Sequence, residues 1–363
     1  MAPPAPEISF LPLGANLFSF TVSSIPLVLS LPSQPAYTKT TNPAYFGETI
    51  GRVANRIRAA RINLNNTTYP LAANNGPNTL HGGPQGWGKQ LWSGPFLESR
   101  RGTEAVRFEL TSPDGDEGFP GTLLAKTWYL ARTNDAGQTE LEVEYEARFA
   151  DDTAVEKGQQ GESVTETAVN MTNHTAFSIG PVSPSSSSSS SSSRSIAGTR
   201  VVLSTNLRQE VDDQAIPTGS ITPHPAVTVG EEIVLGPTDP VFDDCFVLGD
   251  IDPKTVPLDT RSGDMRRLVS FWHPDTKIRF EVESTEPAFQ FYTGEFIDLE
   301  YEEEEEEEEK GGQKHVFNKR AGFCVEASRY IDAAGKAEWE GMVKMKRGQV
   351  WGSRTIYRAW KDE

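Results

Sequence analysis

Apolar and polar residues alternate with a period of two through much of the chain. Leu141-Glu142-Val143-Glu144-Tyr145-Glu146-Ala147-Arg148-Phe149 sets an apolar side chain at every second position with charges between. Ile278-Arg279-Phe280-Glu281-Val282-Glu283 repeats the pattern, and Val106 to Leu110 is a shorter case. Successive side chains on a strand point to opposite faces, so these runs predict antiparallel strands with one face on the core and charges toward solvent. Turn clusters separate them: Asn74-Asn75-Gly76-Pro77, Ser112-Pro113-Asp114-Gly115 and Asn134-Asp135-Ala136-Gly137. The last leads straight into an alternating run and predicts a hairpin. No long stretch has helical periodicity, and no regular strand–helix order announces a Rossmann or barrel architecture. The pattern predicts an all-β fold, a large antiparallel β-sandwich formed as one domain over residues 1–363.

Two low-complexity runs interrupt it, serine at 185–193 and glutamate at 302–309. Neither can bury apolar surface to offset its ordering entropy, so both are expected as loop inserts within the domain. Strand-like sequence resumes on either side of each.

Composition narrows the function classes. Of 363 residues, 36% are hydrophobic and 23% charged, enough apolar mass for a sizeable core. The formal net charge is −17, eight of it from the glutamate run, and no cluster of Lys and Arg appears. Nucleic acid and anionic membrane surfaces are therefore not expected partners. The two cysteines, Cys245 and Cys324, form no CxxC pair, which disfavours a metal cage or disulfide scaffold. No segment reaches the roughly 20 apolar residues of a membrane helix, and the N-terminus lacks signal-peptide character, so a cytoplasmic protein is expected. The oligomeric state cannot be read from the chain.

Candidate chemistry rests on a few polar side chains. His224 and His273 each precede proline and read as surface turns; His315 follows a glycine pair after the acidic run and reads as loop. His81 lies in Asn78-Thr79-Leu80-His81-Gly82-Gly83, where the glycines allow a backbone or a ligand to approach closely. His174, in Val169-Asn170-Met171-Thr172-Asn173-His174-Thr175, ends an alternating stretch dense in polar residues, which suits either a polar pocket or a capped turn. Glu326 follows Gly322-Phe323-Cys324-Val325, and a carboxyl in an apolar strand is either a base with a shifted pKa or a residue on the outward face. Asp243 and Asp244 are adjacent on a predicted strand, so one of the two faces any pocket. Phosphate loops, a Gly-x-Ser-x-Gly elbow and zinc-ligand spacings are absent from the sequence.

Taken together, spaced segments resemble the aldose 1-epimerase (galactose mutarotase) family. They are Gly51-Arg52-Val53-Ala54-Asn55-Arg56-Ile57, Asn78 to Gly83 with Gly86-Trp87-Gly88-Lys89 and Trp92, Ser112 to Gly121, Thr172-Asn173-His174-Thr175, Ile216-Pro217-Thr218-Gly219, Phe242 to Phe246, Phe289-Gln290-Phe291-Tyr292-Thr293-Gly294 and Gly322 to Glu326. They run in family order over most of the chain. The resemblance implies a galactose mutarotase-like supersandwich with a sugar cleft on one sheet, and no cofactor or metal. It implies Glu326 as general base and His174 as general acid in opening the ring of a free hexose of glucose or galactose type. Asn55, Arg56, His81, Asp243 and Gln290 match positions that hold the sugar. Two alternatives on the same fold are a hexose-6-phosphate 1-epimerase and a non-catalytic sugar-binding protein. The chain departs from the family at Ala176, where an aromatic that helps line the sugar site is usual, at Ser178 in place of Asn, and at Asp244 in place of His.

Overall fold

A computed structural model describes residues 7–39, 45–151, 164–182, 194–302 and 314–363. Two antiparallel sheets carry most of it. The larger has nine strands in the order Ile233–Val234, Arg200–Leu203, Arg266–Trp272, Ile278–Ser284, Val350–Lys361, Thr139–Phe149, Leu123–Thr133, Thr103–Ser112 and Ser93–Arg100. The smaller runs Ala176–Phe177, Phe323–Ser328, Ala288–Tyr292, Asp243–Val247, Leu207–Val211 and Pro217–Pro223. Phe271 of the large sheet stacks on Phe323 of the small one with ring centres 4.2 Å apart, and Phe280 meets Phe177 at 4.5 Å. Aromatic and branched side chains from both sheets thus fill one core, which is the expected sandwich. The hairpin expected at Asn134 to Gly137 joins two long strands in register at Thr133 and Thr139. The described residues include one α-helix, the short Gln34–Lys39.

The alternating runs are strands, but the charged face of Thr139–Phe149 is largely withdrawn from water. Glu142 and Glu144 are each 1% exposed. Arg354 reaches Glu142 at 2.8 Å, Arg358 reaches Glu140 at 2.8 Å, and Arg132 holds Glu140 and Glu142 at 2.9 and 3.1 Å. Arg100, Arg101 and Arg261 close over Glu144. A buried carboxylate is tolerated only when paired. Cross-strand neighbours supply part of the cations, since Glu140 lies opposite Arg358 on one side and Arg132 on the other, and Arg354 reaches Glu142 diagonally from the same strand as Arg358. A single strand's pattern cannot reveal this cover.

Three histidine expectations fail. His224 and His273 are buried, not on the surface. His273 accepts the Asp275 amide at 3.2 Å and sits 3.2 Å from the Ala197 carbonyl, while His224 packs on Phe242 and lies 3.6 Å from Asp244. Proline fixes the turn, but the neighbouring loop sets its depth. His315 lies in the strand Lys314–Phe317, paired with Leu299–Glu302, not in a loop. Of the two expected inserts, 185–193 and 303–309 lie outside the described residues, and Glu302 ends a strand.

Candidate active site

The small sheet sorts its residues by parity. Phe323, Val325 and Ala327 enter the core between the sheets, which sends Cys324 and Glu326 to the other face. On the next strand Phe289 and Phe291 are core, leaving Gln290 beside Glu326 in the ladder. Asp243 stands one strand further on, and its Oδ1 accepts the Gln290 amide at 2.7 Å. Three polar side chains therefore line one face of one sheet. The adjacent Asp244 faces Arg208 and His224, so only Asp243 enters the cleft.

Loops bring the remaining groups over that face. His174 ends the strand Thr172–His174, and its Nε2 lies 3.6 Å from Glu326 Oε1. The His81 ring meets the His174 ring edge-on, with centres 5.2 Å apart. His81 and Asn55 both hold left-handed backbone, at φ 51° and 60°, a conformation that costs energy and recurs at functional sites. The glycine after His81 serves a backbone, since a Cβ at Gly82 would lie 2.1 Å from the Gly51 carbonyl oxygen. Buried Arg52 fastens the same loop to the Ser112–Gly121 turn by donating to the Pro120 and Gly121 carbonyls at 2.9 and 3.0 Å. Arg56 is oriented by Asn75 at 3.1 Å and Asn55 at 3.4 Å. The result is a cleft of about 370 Å³ lined by Asn55, Arg56, His81, His174, Asp243, Gln290 and Glu326 together with Tyr45, Tyr292 and Phe296. All seven residues expected from the sequence meet there.

The electrostatics follow from burial. Desolvation, reinforced by Asp243, pushes the Glu326 carboxyl up to about 8, with Arg56 opposing. Desolvation, reinforced by Lys89, lowers His174 to about 4. His81 is held well below the usual imidazole range by burial and by the charges of His174, Arg56 and Lys89. The His174–Glu326 pair thus carries one proton between those limits and can deliver one proton and accept another at a bound molecule.

Donor atoms of His81, His174 and Glu326 lie within 4.8 Å of one another, a spacing that a metal ion could use. The ring chemistry disfavours it. His81 Nδ1 accepts the Asn55 amide at 3.3 Å, so Nε2 carries the hydrogen and is a donor without a free lone pair. Such a donor suits a hydroxyl or carbonyl oxygen. Gln290 Oε1 is buried without a partner, a further acceptor available to hydroxyl hydrogens.

The structure also corrects one expectation. Ala176 does not line the cleft; it is fully buried beside Cys324 in a satellite cluster with Leu29 and Phe46. The aromatic surfaces come from Tyr45, Tyr292 and Phe296, which periodicity could not single out. Tyr292 belongs to the Phe289 to Gly294 segment and was within reach of the sequence; Tyr45 and Phe296 carried no signal beyond being aromatic.

A large antiparallel β-sandwich with a polar acid–base cleft on one sheet is the class of molecule that this chain forms. Residues 4–358 match the family profile described as Aldose 1-epimerase. The chain is 36% identical over 356 residues to the bifunctional protein GAL10 of Pachysolen tannophilus, covering 97% of this chain and 45% of that protein. It therefore spans about half the length of that relative. It is 31% identical over 320 residues to the galactose mutarotase of Sus scrofa, covering 86% of this chain and 78% of that one. Its fold is similar to the GalM/aldose epimerase homologue from C. elegans, with a TM-score of 0.74, 20% identity and coverage of 99% and 97%. The chain belongs to the aldose 1-epimerase family.

Proposed function

We propose that this protein interconverts the α and β anomers of a free hexose of glucose or galactose type. The approach of His174 Nε2 to Glu326 Oε1, 3.6 Å apart on the floor of a cleft rich in hydrogen-bonding groups, carries the reading. Glu326 as carboxylate takes the proton of the anomeric hydroxyl while imidazolium His174 protonates the ring oxygen. The C1–O5 bond breaks, the C1 carbonyl forms, and the proton rests on Glu326. Rotation about C1–C2 and the reverse transfers close the ring on the other face, restoring both residues. No electrons or groups are exchanged, so the side chains suffice. A carboxylate with a raised pKa is a stronger base, and an imidazolium with a lowered pKa a stronger acid, than the free side chains. Arg56 and His81 Nε2–H supply donors for oxygen atoms that gain negative charge. Asn55, Asp243 and Gln290 are placed to hold hydroxyls.

A phosphorylated hexose fits less well. Arg56 is the one Lys or Arg among the cleft-lining residues, and the nearby Arg58, Arg208 and Lys319 are engaged by Asp212, Asp244 and Glu295. Polarimetry of freshly dissolved α-D-glucose and α-D-galactose at catalytic protein concentration tests the proposal. Relaxation to the equilibrium rotation faster than buffer, with many turnovers per molecule, is expected. Saturable sugar binding with no acceleration would instead make the chain a sugar-binding protein.

A further inference from the structure

An ion pair that the acid–base chemistry leaves unused, with its carboxyl buried and its ammonium half-buried, joins the strand opposite His174 to the turn that carries Lys89. Lys89, from the Gly86-Trp87-Gly88-Lys89 segment, binds Glu48 through its ammonium group. Glu48 is 2% exposed and stands directly opposite His174 in the ladder between Glu48–Ile50 and Thr172–His174. Gly88 leaves room for the carboxyl, because a Cβ there would sit 2.3 Å from Glu48 Oε2. That second oxygen has no hydrogen-bond partner. The Lys89 ammonium also lies 5.2 Å from the centre of the Tyr45 ring, which touches the rings of His81 and His174 at 4.7 and 5.3 Å. Burial pushes the Glu48 carboxyl up to about 7 against the pull of Lys89, so desolvation of this carboxyl offsets much of what the pair adds to stability.

We propose that Lys89, tethered by Glu48, is a positioning residue whose fixed positive charge keeps the His174 imidazolium a strong acid. The inference rests on the acid role assigned to His174 above. The titratable and charged groups around His174 are Glu326 and Cys324 on one strand, His81 on its glycine turn, Tyr45 and Glu48 on the adjoining segment, Lys89, and the cleft residues Arg56, Asp243 and Tyr292. Lys89 and Arg56 are the two standing cations of this set. A second positive charge beside Lys89 is disfavoured, so the imidazolium gives up its proton more readily. The charge of Lys89 acts on His81 in the same direction.

The test is an NMR titration of the His174 ring in the full chain, assigned by its loss in His174→Asn, run beside the pH profile of anomer interconversion. Lys89→Met should move the ring titration upward by about half to one pH unit, as expected for loss of a nearby charge at an effective dielectric of ~20. The acid limb of activity should move with it. Lys89→Arg keeps the charge and should leave both in place. The double variant Glu48→Gln with Lys89→Gln strands no buried carboxylate; measured against Glu48→Gln alone, from which it differs only by the Lys89 charge, it should show the same upward shift, which covers the case where Lys89→Met does not fold. A folded Lys89→Met whose His174 titrates where the wild type does, or a folded double variant whose His174 titrates where that of Glu48→Gln does, overturns the proposal. Because the ring titration is read without turnover, absence of epimerase activity would count against the function proposed above and leave this outcome to be decided separately.

Discussion

Between about pH 4 and about pH 8 the His174–Glu326 pair holds one proton, because burial lowers the imidazole and raises the carboxyl. The empty cleft favours that proton on Glu326, the same arrangement that the proposed chemistry reaches when the ring opens. Moving it to His174 keeps the total unchanged, so the pH dependence belongs to the pair. As pH falls through about 4 a second proton binds and no base is left; as pH rises through about 8 the last proton departs and no acid is left. A bell-shaped profile of kcat/KM with those flanks is expected, and a flat rate across the upper flank would contradict it. Glu326→Gln keeps the shape of the side chain but cannot take the anomeric proton. Turnover should fall by at least about a hundredfold while sugar binds within a few-fold of wild type. His174→Asn should behave alike, and the double variant should lose less than the product of the two, because the groups act as a unit. Retention of more than about a tenth of the activity in Glu326→Gln would place the base elsewhere.

The elements that hold these residues were legible to different depths. In Phe323–Ser328 the alternation of apolar and polar positions is visible in the sequence, and it sets Glu326 on the cleft face. For Ala176–Phe177 the sequence suggested a lost sugar contact, and the structure puts the position in a closed cluster. Gly322 already leaves little space there, since a Cβ on it would lie 3.3 Å from the Ala176 Cβ. Ala176→Tyr should therefore overpack the cluster, with a loss of roughly 1–3 kcal/mol of stability by denaturant unfolding. A lower KM at unchanged stability would show that the ring reaches the cleft. Strand Thr139–Phe149 shows the opposite limit, for its period was correct while the surroundings of its glutamates depended on arginines from four other segments.

Across the whole molecule, the cleft depends on how the small sheet is anchored to its surroundings. Arg329 follows the strand that carries Glu326, is fully buried, and pairs with equally buried Glu286. It also donates to the Leu258 carbonyl at 2.9 Å and the Gly352 carbonyl at 3.4 Å, tying the small sheet to a loop and to the longest strand of the large sheet. Arg329→Met would strand the Glu286 carboxyl and should reduce unfolding free energy by roughly 3–5 kcal/mol. Adding Glu286→Gln should restore a good part of it, and equal losses in the single and double variants would rule out the stranded charge as the cause. The amino-acid sequence by itself determined the β-class and the hairpin at Asn134 to Gly137, because strand parity and turn motifs are properties of neighbouring residues, and its resemblance to the aldose 1-epimerase family pointed to the seven polar residues that meet in the cleft. Tertiary structure alone decided that Tyr45 packs on both histidines, that Lys89 and Glu48 lie behind them, that His224 and His273 are buried, and that the glutamate faces are covered by arginine. Each of those depends on contacts between segments far apart in the chain, and desolvation, which sets the proton affinities of Glu326 and His174, exists only once those segments have closed over them.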